Sequence, residues 1–551
     1  MNVRTTWVSP AREIGGQDHL AVLAVSQHLF TELLPGITNA TQRVRLYAFY
    51  PWLVRSFDQH VAEKTSAQVV DVVRRAEVLL ALVGIAHELE TGAKRDHGAG
   101  LVGRDVLVDV AKRVLAGETV SLSTYASEDA PAGTRYFKIK LGALGAIYLG
   151  ALKELAVLGG DAGKGVKWAP DWGAALANVY GAGVNGAAFF AALDRDEVDA
   201  ATLQNLRSFC PCGLGANDPE RAALEDLLFQ KAEASLAQVG GEQRRATLLA
   251  LIAFVREAEG SDEPATDLRD FLATAYAGTM ADGRPWSPAP GLQDVVARWR
   301  VYQRHELLSM AVQGLFWAAL TWLCDEKRAY TPSRTAFVRD FAGRFETMLP
   351  EGTASARFHE IVSAWATALP PLERWRDEGH EIGELKSLEA AQKAHDVDGV
   401  VRHALQILGI LVARGPDTLD YDPFDIDHRF FQTYNINLRT LGAHGFGDWQ
   451  TMTGREWLEW MAGHWLLDAH MRVALRKLRY QAQDSFRIVP GDDGFRVRED
   501  GIPEAQLAAP RLRSAFRFLY DLGLLEQASD EEDASYQVTP RGAELLEAFG
   551  G

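Results

Sequence analysis

The sequence predicts a mainly α-helical, multidomain protein. Three observations carry this. Apolar residues recur at three- and four-residue spacing through most of the chain, as on one face of a helix. Alternating, strand-like stretches are few and short. At 551 residues, 47% of them hydrophobic and 14 of them Trp, the chain has material for three or four cored domains.

Charge and cysteine usage narrow the function classes. A net charge of −17 gives no global electrostatic footprint for nucleic acid, so any such contact must come from local patches. Three cysteines argue against a disulfide framework and for a reducing cytoplasm. The opening stretch MNVRTTWVSPAREIGG lacks the apolar core of a signal peptide. The run Leu307 to Cys324 is long and apolar but holds Ser309, Gln313, Gly314 and Thr321 between charged flanks. It reads as a central buried helix, with no membrane partner expected.

In order, residues 18–33 form an amphipathic helix that ends before Pro35-Gly36. From Thr38 to Phe57, Arg43, Arg45 and Arg55 alternate with Tyr47, Phe49, Tyr50, Trp52 and Phe57. Such a pattern can stack bases and hold phosphates. Large aromatics are buried on average, so the expectation is an aromatic core with arginines on the other face. Pro51 should kink this helix. Residues 66–91 and Arg104 to Leu115 are helical, and an apolar helix runs from Leu144 to Leu158. The loop GGDAGKG, Gly159 to Gly165, fails as a phosphate-binding loop, because Lys164 is followed by glycine instead of a hydroxyl.

Cys210 and Cys212 flank Pro211. Two cysteines cannot close a four-ligand zinc site, and the sequence offers no matching pair, so both are expected as small apolar groups in a turn. No metal and no cofactor is expected. Helices follow at 219–237, after the Asp218-Pro219 start, and at 242–258. Residues 278–291 are rich in Gly and Pro and read as a linker. Gln293 to Lys327 is a long helix, followed by helices at 334–349, 355–368, 385–395, 398–413 and 454–480. Asp377, Glu384 and Lys386 lie in a helical context where a nuclease set would need strand ends. The acidic loop from Asp417 to Asp427 lacks the glycine and distal glutamate of an EF-hand and reads as solvated. His464 and Asp468 share a helix face, but His470 does not join them.

The tail, Arg511 to Phe549, reads as helix, strand, polar loop, strand, helix. Leu512, Ala515, Phe516, Leu519 and Leu522 make an apolar face, Gly523 ends the helix, and Thr539-Pro540 starts the next. This grammar resembles the second half of a winged helix-turn-helix domain. The resemblance makes Arg513 and Arg517, with Arg511 and Tyr520 beside them, candidates for nucleic-acid contact from a recognition helix. Winged helices also dock proteins, and the tip Asp530 to Asp533 would repel phosphate. Upstream, Arg476, Lys477 and Arg479 form a basic helix end. From Arg472 to Arg517 ten Lys and Arg face six Asp and Glu, a local reversal that suits nucleic acid or an acidic partner. Lys167-Trp168-Ala169-Pro170 before Gly173 echoes Tyr536 to Thr539 before Gly542, which suggests a second winged-helix-like β-hairpin module at 95–182.

The stretches LLPGITNATQRVRLYAFYPWL, RYFKIKLGALGAIYLGALKELAVL and FCPCGL with DPERAALEDLLF look like an uncharacterised bacterial protein family found in anti-phage defence islands, beside helicases or nucleases. The likeness spans about the first 240 residues and brings no catalytic residues. It implies a cytoplasmic, non-catalytic DNA-binding or scaffold subunit of a defence system, with DNA and other subunits of the complex as partners. Two alternatives stand beside it: a nuclease or nucleotide-dependent effector using a carboxylate such as Asp425, and an interaction module recruiting an ATPase or helicase. The expected domains are 1–198, 199–285, 286–450 and 451–551.

Overall fold

A computed structural model describes residues 13–14, 16–61, 65–161, 165–230, 240–259, 268–527 and 535–550. The chain is mostly helical, with small two- and three-stranded sheets. It divides into two compact units, each assembled from separated stretches. The terminal unit comprises Thr31–Leu268, Pro288–Val295 and Ala509–Gly551; the central unit comprises Met1–Phe30, Arg269–Ser287 and Val296–Ala508. This differs from the four consecutive domains expected. The tail after Ala508 is too short to bury a core of its own, so its apolar helix faces pack back onto the first half of the chain.

In the terminal unit, α1 (Leu46–His60) buries Tyr47, Phe49, Tyr50 and Trp52 and accommodates Pro51 within its length. Phe49 and Trp52 pack with Tyr180, Phe189 and Phe209. The aromatic core is as expected, but the arginines are not on an outer face. Arg43 is 2% exposed and Arg45 is 3% exposed. Next comes α2 (Ser66–Thr91), which starts on a Thr65/Gln68 capping box. The strands β1 (Leu158–Asp161) and β2 (Gly165–Trp168) pair antiparallel, with Leu158 opposite Trp168, and lead into α3 (Trp172–Ala182), which packs on α1. Lys164 lies outside the described residues. Then follow α4 (Asp218–Phe229), with Asn217 as its cap, and α5 (Gly241–Ala258). The expected continuation of α4 to 237 is not seen: the helix ends at Phe229, and residues 231–239 lie outside the described ones.

The expected linker is an ordered turn: Met280 donates its N–H to the Arg284 carbonyl (2.8 Å), Trp286 donates to Gly278 (2.9 Å), and Trp286 is buried. The chain does pass from one unit to the other within it, at Ser287. It passes again at the start of α6 (Gln293–Lys327). This helix is long and apolar enough to cross a membrane, yet 83% of its apolar window is buried within the chain, as a core helix requires. His305 on α6 bridges the central unit: Nε2 donates to the Val22 carbonyl (3.1 Å), and Nδ1 accepts from the Tyr421 hydroxyl (3.0 Å). That hydroxyl in turn accepts from the Leu438 N–H (2.9 Å). Burial lowers His305 to about 4, so the ring stays neutral, as this tautomer needs. Glu381 binds Arg414 through two bonds of 2.8 Å and accepts from Tyr276, which satisfies a fully buried carboxylate. The acids of the 417–427 loop are used locally: Asp420 pairs with Arg439, and Asp427 caps the helix that follows. The hairpin expected at 486–498 is present and joins Tyr330–Thr331 in a three-stranded sheet. Before it lies α7 (Ala469–Gln481).

The chain then returns to the terminal unit through α8 (Leu512–Asp521), β3 (Leu525–Gln527), β4 (Tyr536–Val538) and α9 (Pro540–Ala548). Gly523 takes φ +68°, which glycine adopts without a Cβ clash. The Thr539 hydroxyl caps α9 by accepting from the Gly542 N–H (3.1 Å). Helix, hairpin and helix thus follow in the order expected, and the same order occurs at Leu149–Glu154, β1, β2 and α3. The acidic tip Asp530 to Asp533 lies outside the described residues.

Glu306 on α6 yields a prediction. Its carboxylate accepts from the Ala508 N–H (2.7 Å), and burial raises its pKa to about 7. A carboxyl whose folded pKa exceeds its unfolded value stabilises the fold at low pH and loses that contribution as pH rises through about 7. The central unit should therefore weaken between about pH 5 and 8, by up to roughly 3 kcal/mol. Glu306→Gln, which keeps the acceptor, should flatten this fall in thermal unfolding measured across that range.

Candidate metal centre

Two loops of the terminal unit meet. The first leaves α2, where Gly92 (φ +76°) ends the helix by donating its N–H to the Glu88 carbonyl (2.8 Å). The chain then folds back through turns at 94–99, which place His97 beside His87 of α2, with ring centroids 3.9 Å apart. The second loop is a pair of short 3₁₀ turns, Arg207–Phe209 and Pro211–Ala216, that carries Cys210 and Cys212. His97 Nδ1 lies 3.3 Å from Cys210 Sγ, and His87 Nδ1 lies 3.5 Å from Cys212 Sγ. One ligand atom from each of the four residues lies within 4.8 Å of all the others. Among the described residues, no other group of His, Cys, Asp and Glu draws together in this way.

The expectation for Cys210 and Cys212 is therefore corrected. They are not merely small apolar groups in a turn, because a histidine pair faces them. That pair is separated from the cysteines by 113 and 125 residues, so no short motif spells it out. In sequence the signal is limited to a Cys-Pro-Cys turn and two histidines astride a helix end.

The electrostatics favour the ligating form at three of the four groups and oppose it at Cys210. Cys210 is fully buried, and its thiol is pushed up by donating to Cys212 and then by burial. The same hydrogen bond lowers Cys212 to about 7 against burial, helped by Arg45 and Arg43. Desolvation lowers both His87 and His97, which leaves neutral imidazoles. In a tetrahedral zinc site with Zn–S of about 2.3 Å and Zn–N of about 2.0–2.1 Å, a sulfur and a nitrogen sit about 3.6 Å apart. The two observed S···N distances lie near that value.

What holds the loops is the Arg-Val-Arg sequence before α1. Arg43 Nη1 donates to the Arg95 carbonyl (2.7 Å), and Nη2 donates to the Asp96 carbonyl (3.0 Å), which fixes the His97 loop. Arg45 Nη1 donates to the carbonyls of Ser208 (2.8 Å) and Cys210, which fixes the cysteine turn. Its other nitrogens bind Glu220 at 2.8 and 3.0 Å, and its guanidinium lies 5.1 Å from the Tyr180 ring centroid. At Gly213 a Cβ would fall within 3 Å of Arg45 Nη1 and the Ser208 carbonyl, so the close approach needs glycine.

The tail residues singled out as nucleic-acid contacts meet this same structure. Arg517 donates to the Arg95 carbonyl and pairs with Asp521 (3.2 Å); Tyr520 donates to Asp96 (2.6 Å). Asp521 also faces Arg43 at 3.4 Å. Arg511 donates to the Leu34 carbonyl (3.0 Å) and is half-buried. Of the four, Arg513 is the exposed one. Amide carbonyls of the His97 loop and of Leu34, with the Asp96 carboxylate, thus accept from Arg517, Arg511 and Tyr520, all three of them half-buried. Arg476, Lys477 and Arg479 lie on α7 of the central unit. Lys477 donates to the carbonyls of Gln17 and Asp18, Arg476 stacks on Tyr434 (5.2 Å), and Arg479 stacks on Tyr480 (5.3 Å).

No protein-family model, no curated protein and no solved structure matches the chain.

Removing one partner of a buried charge pair leaves the other without compensation, at a cost of about 3–5 kcal/mol. Arg45→Met should destabilise the terminal unit by that order in urea unfolding. Adding Glu220→Gln should recover part of the loss. A single variant as stable as the parent would contradict the clamping role of Arg45.

Proposed function

We propose that the chain is a non-catalytic scaffold subunit of a prokaryotic anti-phage defence assembly, and that it docks an acidic protein partner on the C-terminal end of α7. The observation that carries this is a pair of large exposed side chains, one leucine and one tyrosine, set among arginines near the end of α7. Leu475 is 57% exposed and Tyr480 is 73% exposed, with Arg472 and Arg479 exposed beside them. Arginine and tyrosine around an apolar centre is the composition of protein interfaces, with a basic rim that selects an acidic partner. The defence context rests on the likeness of the first 240 residues to proteins of defence islands. Direct reading of the major groove by α8 has less support, because Arg511, Arg517 and Tyr520 spend their donors inside the terminal unit. The net charge of −17 points the same way.

The test is to mix the purified chain with each product of its neighbouring genes, and separately with duplex DNA over a range of salt. We expect a stable complex with an acidic neighbour, weakened about tenfold or more by Leu475→Glu with Tyr480→Glu. Salt-sensitive duplex binding that is lost with Arg513→Glu, and no protein complex, would replace the scaffold reading with a DNA-binding one.

A further inference from the structure

We infer that His87, His97, Cys210 and Cys212 form a structural zinc site that locks the tail of the chain onto its first half. The donor set is two sulfurs and two imidazole nitrogens, the set that zinc takes in closed, four-coordinate structural centres. Soft thiolates select zinc over magnesium or calcium, which take oxygen ligands. All four positions come from protein, so no open position remains for a substrate, and the centre is structural, not catalytic. On binding, both thiols lose a proton to solvent, and the two thiolates balance the charge of Zn²⁺.

The surrounding geometry is built for this. Zinc affinity depends on outer partners that hold the ligands in place. Here the two carbonyls just before His97 are held by Arg43, and the carbonyls of Ser208 and Cys210 are held by Arg45. The His97 loop is also where α8 attaches, through Arg517 to the Arg95 carbonyl and Tyr520 to the Asp96 carboxylate. An ion that fixes residues 95–97 therefore fixes the surface on which α8 sits. Arg95 of the His97 loop and Arg517 of the tail are 422 residues apart in sequence, so the contact that this loop makes with α8 closes a long stretch of the chain, while the ion itself joins ligands 113 and 125 residues apart. Because binding requires the folded arrangement of both loops, metal affinity is coupled to the order of the tail.

The experiment uses the full chain, purified under reducing conditions without chelator. Metal analysis should find one zinc per chain, and the metal-free protein titrated with cobalt(II) should develop the visible bands of a tetrahedral site and a thiolate charge-transfer band. Cys212→Ser and His87→Gln should each lose both. Removing zinc from the wild type should raise amide exchange at 94–99, 207–216 and 512–521, and leave the central unit unchanged. If the variants fail to fold, the wild-type zinc content and cobalt spectrum still decide. Zinc at background level with no cobalt spectrum, in protein whose circular dichroism shows intact helices, would overturn the proposal. Zinc binding without any change in exchange at 512–521 would overturn the coupling to the tail.

Discussion

Two guanidinium groups, two residues apart and almost wholly buried, decide how the terminal unit is put together. A charge taken out of water is tolerated when its donors are fully used, and arginine offers five donors in a fixed fork. Arg43 gives its two Nη groups to the carbonyls of one loop while its Nε faces Asp521 at 3.4 Å, and Arg45 binds the carbonyls of another loop and Glu220. Because Val44 between them is itself buried, the two heads diverge from one short segment. The two loops they hold carry three side chains of the candidate metal centre, His97 on one and Cys210 and Cys212 on the other, and His87 comes from the end of α2. Asp521 of the tail helix faces Arg43 and accepts from the Val44 N–H, so the last part of the chain closes on the same point.

The role of α8 follows from that arrangement. A helix with an apolar face and arginines on its flank serves two purposes that look alike in sequence. The guanidinium can reach phosphate in solution, or the carbonyls of an adjoining loop. Here the neighbouring loop presents the carbonyls of Arg95 and Asp96; Arg43 donates to both, and Arg517 donates to that of Arg95 as well. The tail is thus a fastening of the terminal unit. In the central unit, exposed arginines stand beside the exposed Leu475 and Tyr480 on α7.

Much of the fold was legible. The 3.6-residue apolar rhythm marks the helices, Gly523 and Thr539-Pro540 mark the helix end and start in the tail, and the hairpins at 486–498 and in the tail fall where expected, whereas Leu158, read as the end of a helix, starts a strand. The buried status of α6 could be read from its scattered polar residues. What was not legible depends on distant pairing. The unit boundaries follow which helix faces meet, and the 1–30 and 509–551 stretches each join a body far away in sequence. The interleaved arginines and aromatics before and within α1 showed that something was buried, but alternation alone could not show that the arginines were buried too. The four candidate ligands come from a helix end, a turn after it and a Cys-Pro-Cys turn more than a hundred residues later, so no local spacing rule gathers them.

The most direct measurement is X-ray absorption at the zinc edge on the purified full chain. The account predicts a first shell of two sulfurs at about 2.3 Å and two nitrogens at about 2.0–2.1 Å, with the outer-shell scattering of imidazole. A shell of oxygen and nitrogen alone, or the absence of a zinc edge above background, would contradict it.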